Sequence, residues 1–592
     1  MKIDRRVFLR SAALWPAALS AQQPVYIRDL RIALPNSAVS TRPAARKWRV
    51  LPYESELGPG HLLSAGQNTM AEEISIPLNR RGWHAISFGL RSHYGESRLL
   101  ARLKSAKTFS LLTHHDMIGT RIERRDIEVK GGTSFSSGPR VDELFWQVAD
   151  LASEEIVLRQ LRVESVSCPI WLAYVKLILL ADEEVRRMHE DRRNPSNRRL
   201  FAHNDAFGSH GWLAYTTEEE IRREIEPYRN TDFSRMYWEA GMGDRMYYPS
   251  KIGMMSSDEW IDDPFRIRDR HVAAFYRSSK QKGFDPFRVA LDAAKDAGLE
   301  FHAAYRVAGF HFPVPEDEWN YKGVYDRHPE WRGVDRAGNP TPRLSYAHEG
   351  VRRYVLSLVD EICRYPVDGF CMLYNRRPPL LEYEAPLVAG FQQRFGRDPR
   401  RLDERDAEWL AYRAGVLTGF MREVRAAAHR AAGRPIAITA IVMGTEEENL
   451  YNAIDVRTWV AQGLVDTIIP YTSGRDLNSA RDSFVNPRDA EPFLRMTKGT
   501  ACQAAINLMP RQISPEDYRK RAHGLYELGA ENLFFWDCYQ RCDFSHSWSA
   551  LRRLGHKEEI AAWVRSGAPK IAQPGTTLRK LGDWDFRYAT PG

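Results

Sequence analysis

The hydrophobic rhythm of the chain changes once, near residue 182. Ahead of that point short apolar or alternating runs follow one another: Ile74 to Pro77, Gly82 to Leu90, Ser110 to Thr113, Leu144 to Val148, Ile156 to Val163 and Ile170 to Leu180. Gly, Pro, Asn and Ser separate them and no helical period emerges, which is the pattern of strands. Such a series predicts a β-sandwich, jelly-roll-like, over residues 22–181. The charged stretch at 182–198 (DEEVRRMHEDRRNPSNR) reads as a linker.

From residue 199 the pattern becomes strand, loop, helix, repeated. Eight strands are predicted at Leu200–His203, Arg235–Glu239, Glu300–Arg306, Val367–Tyr374, Ile436–Val442, Val465–Tyr471, Ala501–Asn507 and Asn532–Asp537. Between the third and fourth, Val351, Tyr354, Val355, Leu358, Val359 and Ile362 give the apolar stripe of a helix lying on a sheet. Thr217 with Glu220, Asp285-Pro286 and Ser514-Pro515 mark helix starts, while Gly298, Gly433, Gly463 and Gly529 sit at helix ends. Alternation of this kind implies parallel βαβ units, and eight of them over 199–566 predict an α/β chain built on a (β/α)8 TIM barrel. An open doubly wound sheet is the alternative, although no Gly-rich phosphate loop follows any strand. Residues 567–592 are left as a C-terminal tail.

A chain of 592 residues, 43% hydrophobic, is long enough for more than one packed domain. Its net charge is +8, and residues 1–21 account for +3 of it through Lys2, Arg5, Arg6 and Arg10 against Asp4. The rest is spread thinly and no nucleic-acid-binding signature accompanies it, so no nucleic-acid partner is expected. Asp4-Arg5-Arg6-Val7-Phe8-Leu9-Arg10 resembles the twin-arginine export motif. The apolar run Ala12 to Leu19 and small residues up to Ala21 then complete a signal peptide. No run approaches the ~20 apolar residues that span a bilayer. The expectation is an exported, periplasmic or extracellular protein without stable membrane insertion. Cysteines 168, 363, 371, 502, 538 and 542 lack zinc spacing and are expected as buried thiols, with Cys538 and Cys542 near enough in sequence to pair.

In a barrel of this kind the chemistry belongs on the loops after the strand C-termini. Carboxylates there are Glu239, Glu382, Glu384, the run Glu446 to Glu448, and Asp537. Glycoside hydrolysis needs two carboxyl groups flanking one bond. Glu239 and Asp537 each follow a tryptophan, whose rigidity and apolar character suit a catalytic acid, and they form the expected pair. Glu382 or Glu384 is the next choice for general acid, and the 446–448 run reads as a solvated surface. The structural reading of each is a loop anchor or a salt bridge. Arg306, His311, Tyr374, Arg376, Tyr471, Asn507 and Trp536 are the expected substrate contacts. Arg306 with Arg376 or Arg377 could also grip a uronate carboxylate or a sulfate. Aromatics in the long loops (Tyr247, Tyr248, Trp260, Phe265, Phe312, Trp319, Tyr321, Tyr325, Trp331 and Tyr346) suit either sugar stacking or packing of the loops themselves. His203-Asn204-Asp205 falls short of the His-x-His of metal-dependent barrels, so neither a catalytic metal nor a cofactor is expected.

The region from His328 to Val424 resembles the glycosyl-hydrolase-like family-10 barrels. The residues that carry the likeness are His328-Pro329-Glu330-Trp331, the helix beginning Gly350-Val351-Arg352-Arg353-Tyr354-Val355, Val367-Asp368-Gly369-Phe370, Tyr374 with Arg376 and Pro378, Phe395-Gly396-Arg397-Asp398-Pro399, and Trp409 with Arg413. The family pattern at the fourth strand runs roughly D-G-[IV]-H-L-D-Y-x-R-[YF]-P, and its second aspartate falls here on Leu373. Asp368, at the start of that strand, reads as structural. The resemblance implies an exported glycoside hydrolase that cleaves a poly- or oligosaccharide, an anionic one among the candidates. The strand-rich first part is similar to the accessory sandwiches that precede such barrels. Leu373 keeps open a non-catalytic carbohydrate-binding protein. Tyr374 with Arg376, or His311, keeps open a polysaccharide lyase.

Overall fold

The computed structural model describes residues 23–66, 69–91, 96–115, 139–163, 169–255, 267–312, 314, 323–376, 378–471, 487–509, 511, 513–542 and 544–586. The signal-like residues 1–21, Cys168, Trp260, Phe265, Trp319, Tyr321 and Arg377 lie outside them.

Eight strands form the core of the larger part: β1 (Leu200–Asn204), β2 (Phe233–Met242), β3 (Glu300–Arg306), β4 (Gly369–Leu373), β5 (Ala437–Met443), β6 (Thr467–Tyr471), β7 (Gln503–Asn507) and β8 (Asn532–Phe535). Each pairs in parallel with the next, and β1 pairs with both β2 and β8, so the sheet closes. That closure makes it a TIM barrel, in agreement with the sequence, and removes the open doubly wound sheet. The strands are almost continuously apolar because both faces are buried. Inward residues such as Phe201, Tyr237, Cys371, Ile441, Ile469 and Phe534 fill the lumen as one cluster. Their outward neighbours Phe301, Met372 and Ile468 share a second cluster with Val355, Leu358 and Val424 of the surrounding helices.

The N-terminal end of the lumen is sealed by polar bonds rather than by a cavity. Arg235 reaches the Tyr237 hydroxyl (3.1 Å) and Thr467 Oγ1 (3.2 Å), and Asn532 Nδ2 donates to Gln503 Oε1 (2.7 Å). The opposite, C-terminal end is where charged side chains gather. Helix starts follow the sequence signals: Asp285 accepts the amides of Phe287 and Arg288, and Ser514 accepts that of Asp517. Such bonds satisfy orphan donors of the first turn.

The first part of the chain is mostly strands, in a nine-stranded and a four-stranded sheet. Ile86, Phe88 and Leu172 of the larger share an apolar cluster with Ile76, Leu99 and Ile156 of the smaller. Three long strands lie beyond the sequence expectation: Trp48–Ser55, Gly58–Ala65 and Glu96–Leu103. Residues expected as a tail supply another, since Gly575–Leu581 pairs with both Arg140–Asp150 and Trp48–Ser55. The chain therefore returns to its beginning after the barrel.

The expected linker is largely a helix, Asp182–Arg193, held to the barrel by a buried cluster. His556 Nδ1 lies 2.7 Å from Asp232 Oδ2 and its Nε2 lies 2.7 Å from Asp191 Oδ1. Arg553 adds a further contact to Asp191 at 3.2 Å. Cys363, Cys371, Cys502 and Cys538 are free thiols, and Cys542 Sγ meets the Cys538 carbonyl at 3.8 Å instead of pairing with its sulfur. Among the described residues no helix is long and apolar enough to cross a membrane.

Candidate active site at the barrel mouth

The inward-pointing ends of β8, β1, β2 and β3 are neighbours in the closed sheet, so the residues they carry must meet. His203, at the end of β1, is fully buried between two carboxylates. Its Nε2 lies 3.1 Å from Glu239 Oε1, and its Nδ1 lies 3.4 Å from Asp537 Oδ1. The Trp536 indole covers the imidazole, stacked at 3.9 Å and 15°. Arg306, from the end of β3, closes on Glu239 with Nε and a terminal nitrogen 2.9 and 2.7 Å from Oε1. Arg511, beyond β7, holds Asp537 Oδ2 at 2.9 Å. Arg376, beyond β4, lies over Trp536 (5.0 Å to the centroid) and Tyr471 (5.9 Å). Tyr471 in turn packs on Trp536 at 4.8 Å.

Exposure divides this cluster into a buried floor and a wet rim. Glu239 and His203 have no exposed side-chain surface, whereas Asp537 keeps 8%, Arg306 19% and Arg511 22%. Asp205, two residues after His203, is half-buried and accepts the amides of Phe207 (3.1 Å) and Gly208 (2.7 Å) on Oδ1. Asp537 itself sits at φ +42°, left-handed for a non-glycine residue. Strain of that sort is retained where the surroundings over-determine it and is concentrated at functional sites.

The two rim carboxyls are driven apart electrostatically. Burial raises the Asp205 pKa, and the nearby Asp537 and Glu239 charges add to the rise. Burial acts the same way on Asp537 but is outweighed by Arg511, His203 and Arg376, which hold that carboxyl well below the usual range. Burial disfavours the His203 cation, yet its bonds to Asp537 and Glu239 leave its pKa above the ordinary value. One acid at the mouth is thus pushed towards its protonated form and the other towards its ionised form. This separation is how a pair of carboxyls divides acid and base roles.

Of the expected site residues, the structure brings together Glu239, Asp537, Arg306, Arg376, Tyr471, Asn507 and Trp536. Glu239 and Asp537 each approach a single imidazole to within 3.4 Å, inside the ~10 Å within which two carboxyls can serve one glycosidic bond. Glu382 and Glu384 lie apart from this cluster. Glu384 Oε1 accepts from the amides of Val334 (3.4 Å) and Glu382 (3.2 Å), and both carboxyls face the hairpin that carries Gly333. Tyr374 turns outward, its hydroxyl 2.7 Å from Met421 Sδ. His311 stacks on Tyr325 at 4.3 Å, away from the acids. Of the described loop aromatics, Tyr247, Tyr248, Phe312, Tyr325 and Tyr346 are buried as packing, with Tyr248 on Glu361 (2.7 Å) and Tyr346 on the Val307 carbonyl (2.6 Å), while Trp331 is half-buried and stacks on His328 at 3.6 Å. Glu446 and Glu447 pair with Arg457 and Arg405 at a helix start. Asp368 pairs with Lys295 and accepts the Phe301 amide, both at the opposite end of the barrel. His203, Asp205 and Arg511 were absent from the expected site.

Leu373 occupies the lumen with Tyr471 and Trp536, fully buried. No group of three or more His, Cys, Asp or Glu suited to a metal ion occurs among the described residues.

Residues 264–482 match the family model for glycosyl hydrolase-like 10. The resemblance read from residues 328–424 falls inside that stretch. No curated protein matches the chain. Similar solved structures include an alpha-galactosidase from Thermus thermophilus, at 12% identity and TM-score 0.35, covering 86% of this chain and 95% of that one. Another is a ruminal GH26 endo-beta-1,4-mannanase at 8% identity and TM-score 0.29, covering 88% and 91%. A third, a GH20 exo beta-N-acetylglucosaminidase from Vibrio harveyi, stands at 9% and 0.37, covering 69% and 61%. At such scores these likenesses carry no argument, and the barrel rests on its own strand pairing.

Proposed function

We propose that this protein is an exported glycoside hydrolase whose acid–base pair is Asp205 and Asp537. The observation that carries the reading is the opposite electrostatic bias of these two carboxyls at the mouth of a barrel in a glycosyl hydrolase-like family. Asp205 donates a proton to the leaving glycosidic oxygen. Asp537, ionised and fixed by Arg511 and His203, attacks the anomeric carbon or activates water. Glu239, enclosed by His203 and Arg306, orients those two groups and does not touch the sugar. The family aspartate replaced by Leu373 is then not required, because both acids come from β1 and β8.

The lyase alternative loses support from the outward turn of Tyr374, which separates its hydroxyl from Arg376. We read the two N-terminal sheets, which share an apolar cluster, as an accessory sandwich, and residues 1–21 as the export signal. The test is hydrolysis of a panel of aryl glycosides and polysaccharides by the mature chain. Asp537→Asn and Asp205→Asn should each lower kcat by about 10²- to 10⁴-fold. Wild-type rates from both variants on a cleaved substrate would overturn the assignment. Secretion of a fusion carrying residues 1–21, abolished by Arg5→Lys with Arg6→Lys, tests the export signal.

A further inference from the structure

The barrel mouth holds buried donors that no acceptor among the described residues answers. Arg306 and Arg511 each face a carboxylate, but Arg376 has no ion-paired or hydrogen-bonded carboxylate among the described residues, and its enclosed Nε has no acceptor there. The guanidinium carbon lies over the rings of Trp536 and Tyr471, 5.0 and 5.9 Å from their centroids. Two further donors belong to neighbouring side chains of the mouth, where Asn507 Oδ1 accepts the Trp536 amide at 3.5 Å. Trp536 Nε1 and Asn507 Nδ2 are fully buried and also lack an acceptor among the described residues. Buried donors of this kind are costly unless a ligand supplies the missing acceptor. Asp537 is the carboxylate that acts on the Arg376 charge through space, while Arg306 and Arg511 act against it, so a neutral sugar hydroxyl would answer one donor and add nothing to the balance of charge.

We infer that the site takes a sugar unit bearing an oxyanion, a carboxylate or a sulfate ester, which Arg376 grips with Arg306 or Arg511 alongside and Asn507 and Trp536 donating from below. The inference deepens the glycan-hydrolase reading and rests on it for the word sugar. Charge-assisted, bidentate contacts of this type are the strong ones in protein recognition.

The experiment is titration calorimetry on the full-length mature chain. Glucuronate and galacturonate report the carboxylate arm and glucose 6-sulfate the sulfate arm, with glucose and galactose as neutral controls. At least one charged sugar should bind about tenfold or more tighter than its neutral counterpart, as expected for a hydrogen bond to a charged group. Arg376→Met should abolish the preference, and Arg376→Lys, which keeps the charge but not the fork, should retain part of it. A circular dichroism melt confirms that each variant is folded. Equal binding of charged and neutral sugars by the wild type, or an undiminished preference in Arg376→Met, overturns the inference. Cleavage confined to neutral glycans would also overturn it while leaving the hydrolase reading standing. Preferential binding of the charged sugar with no hydrolysis would do the reverse.

Discussion

Replacing His556 with glutamine tests how the chain anchors its connecting helix to the barrel. The imidazole bridges Asp191 of that helix and Asp232, the residue preceding β2, at 2.7 Å on each side. Burial works against the imidazolium, but its bonds to the two aspartates prevail and push the pKa from 6.5 up to about 9. A rise of this size corresponds to about 3 kcal/mol of stability. Because the folded-state value lies above the unfolded one, that contribution is complete below pH 6.5 and disappears as pH rises through about 9. Asp191, shifted from 3.8 down to about 2, reports the same ion pair from its other partner. Its share is therefore not added, and its loss is confined to the acid side. Urea unfolding followed by circular dichroism, at intervals from pH 5 to 10, measures the effect. His556→Gln should cost about 3 kcal/mol near pH 6 and little near pH 10, so the two stability curves converge. Parallel curves across that range would refute the reasoning, since the imidazolium would then contribute no pH-dependent stability.

Three other outcomes follow from the mouth of the barrel. Activity should require Asp537 ionised and Asp205 protonated, giving a bell whose acid limb lies below, and whose alkaline limb lies above, the ordinary aspartate value near ~3.9. Residual activity of Asp205→Asn should lack the alkaline limb in a kcat/KM profile. Glu239→Gln removes the charge between Arg306 and His203 and should destabilise the fold by about 3–5 kcal/mol, read as a lower denaturation midpoint. The same change should lower the His203 pKa, visible by NMR titration of its ring protons. Trp536→Ala strips the cover from His203 and should cost about 3–5 kcal/mol, with a larger loss in kcat than in KM.

All eight barrel strands were legible because each is a short, nearly continuous apolar run set between helix caps. Their bounds differ from expectation by three residues at most, and Glu300–Arg306 not at all. Closure then explains why Glu239, Arg306 and Asp537, distant in sequence, share one site. The parity of β4 was equally available: with Cys371 and Leu373 facing the lumen, Tyr374 must face the helices. His203 and Asp205 were passed over as an incomplete metal motif. The signal that could have found them is topological, since in a closed barrel the residues trailing β1 must meet those trailing β8. Arg511 belongs to a loop with no periodic signature. Among the N-terminal strands, Pro52, Gly58, Pro59 and Gly60 interrupt the alternation of two, and the Glu96–Leu103 run fits a helical period as well as a strand.

The distribution of charge around the rim bears on Leu373, where the pattern of the similar family carries an aspartate. Acids and their partners occupy one continuous arc, β8 to β3, as Asp537, His203 with Asp205, Glu239 and Arg306. The facing arc, β4 to β7, presents Leu373, Ile441, Tyr471 and Asn507, which are uncharged. An aspartate at Leu373 would have drawn Arg376 down into the lumen as its counter-ion. With leucine there, Arg376 lies over the aromatic wall of Trp536 and Tyr471, on the side of Asp537. On the proposed reading, proton chemistry sits on β1 and β8, and the β4 side of the rim supplies the guanidinium that grips the anion.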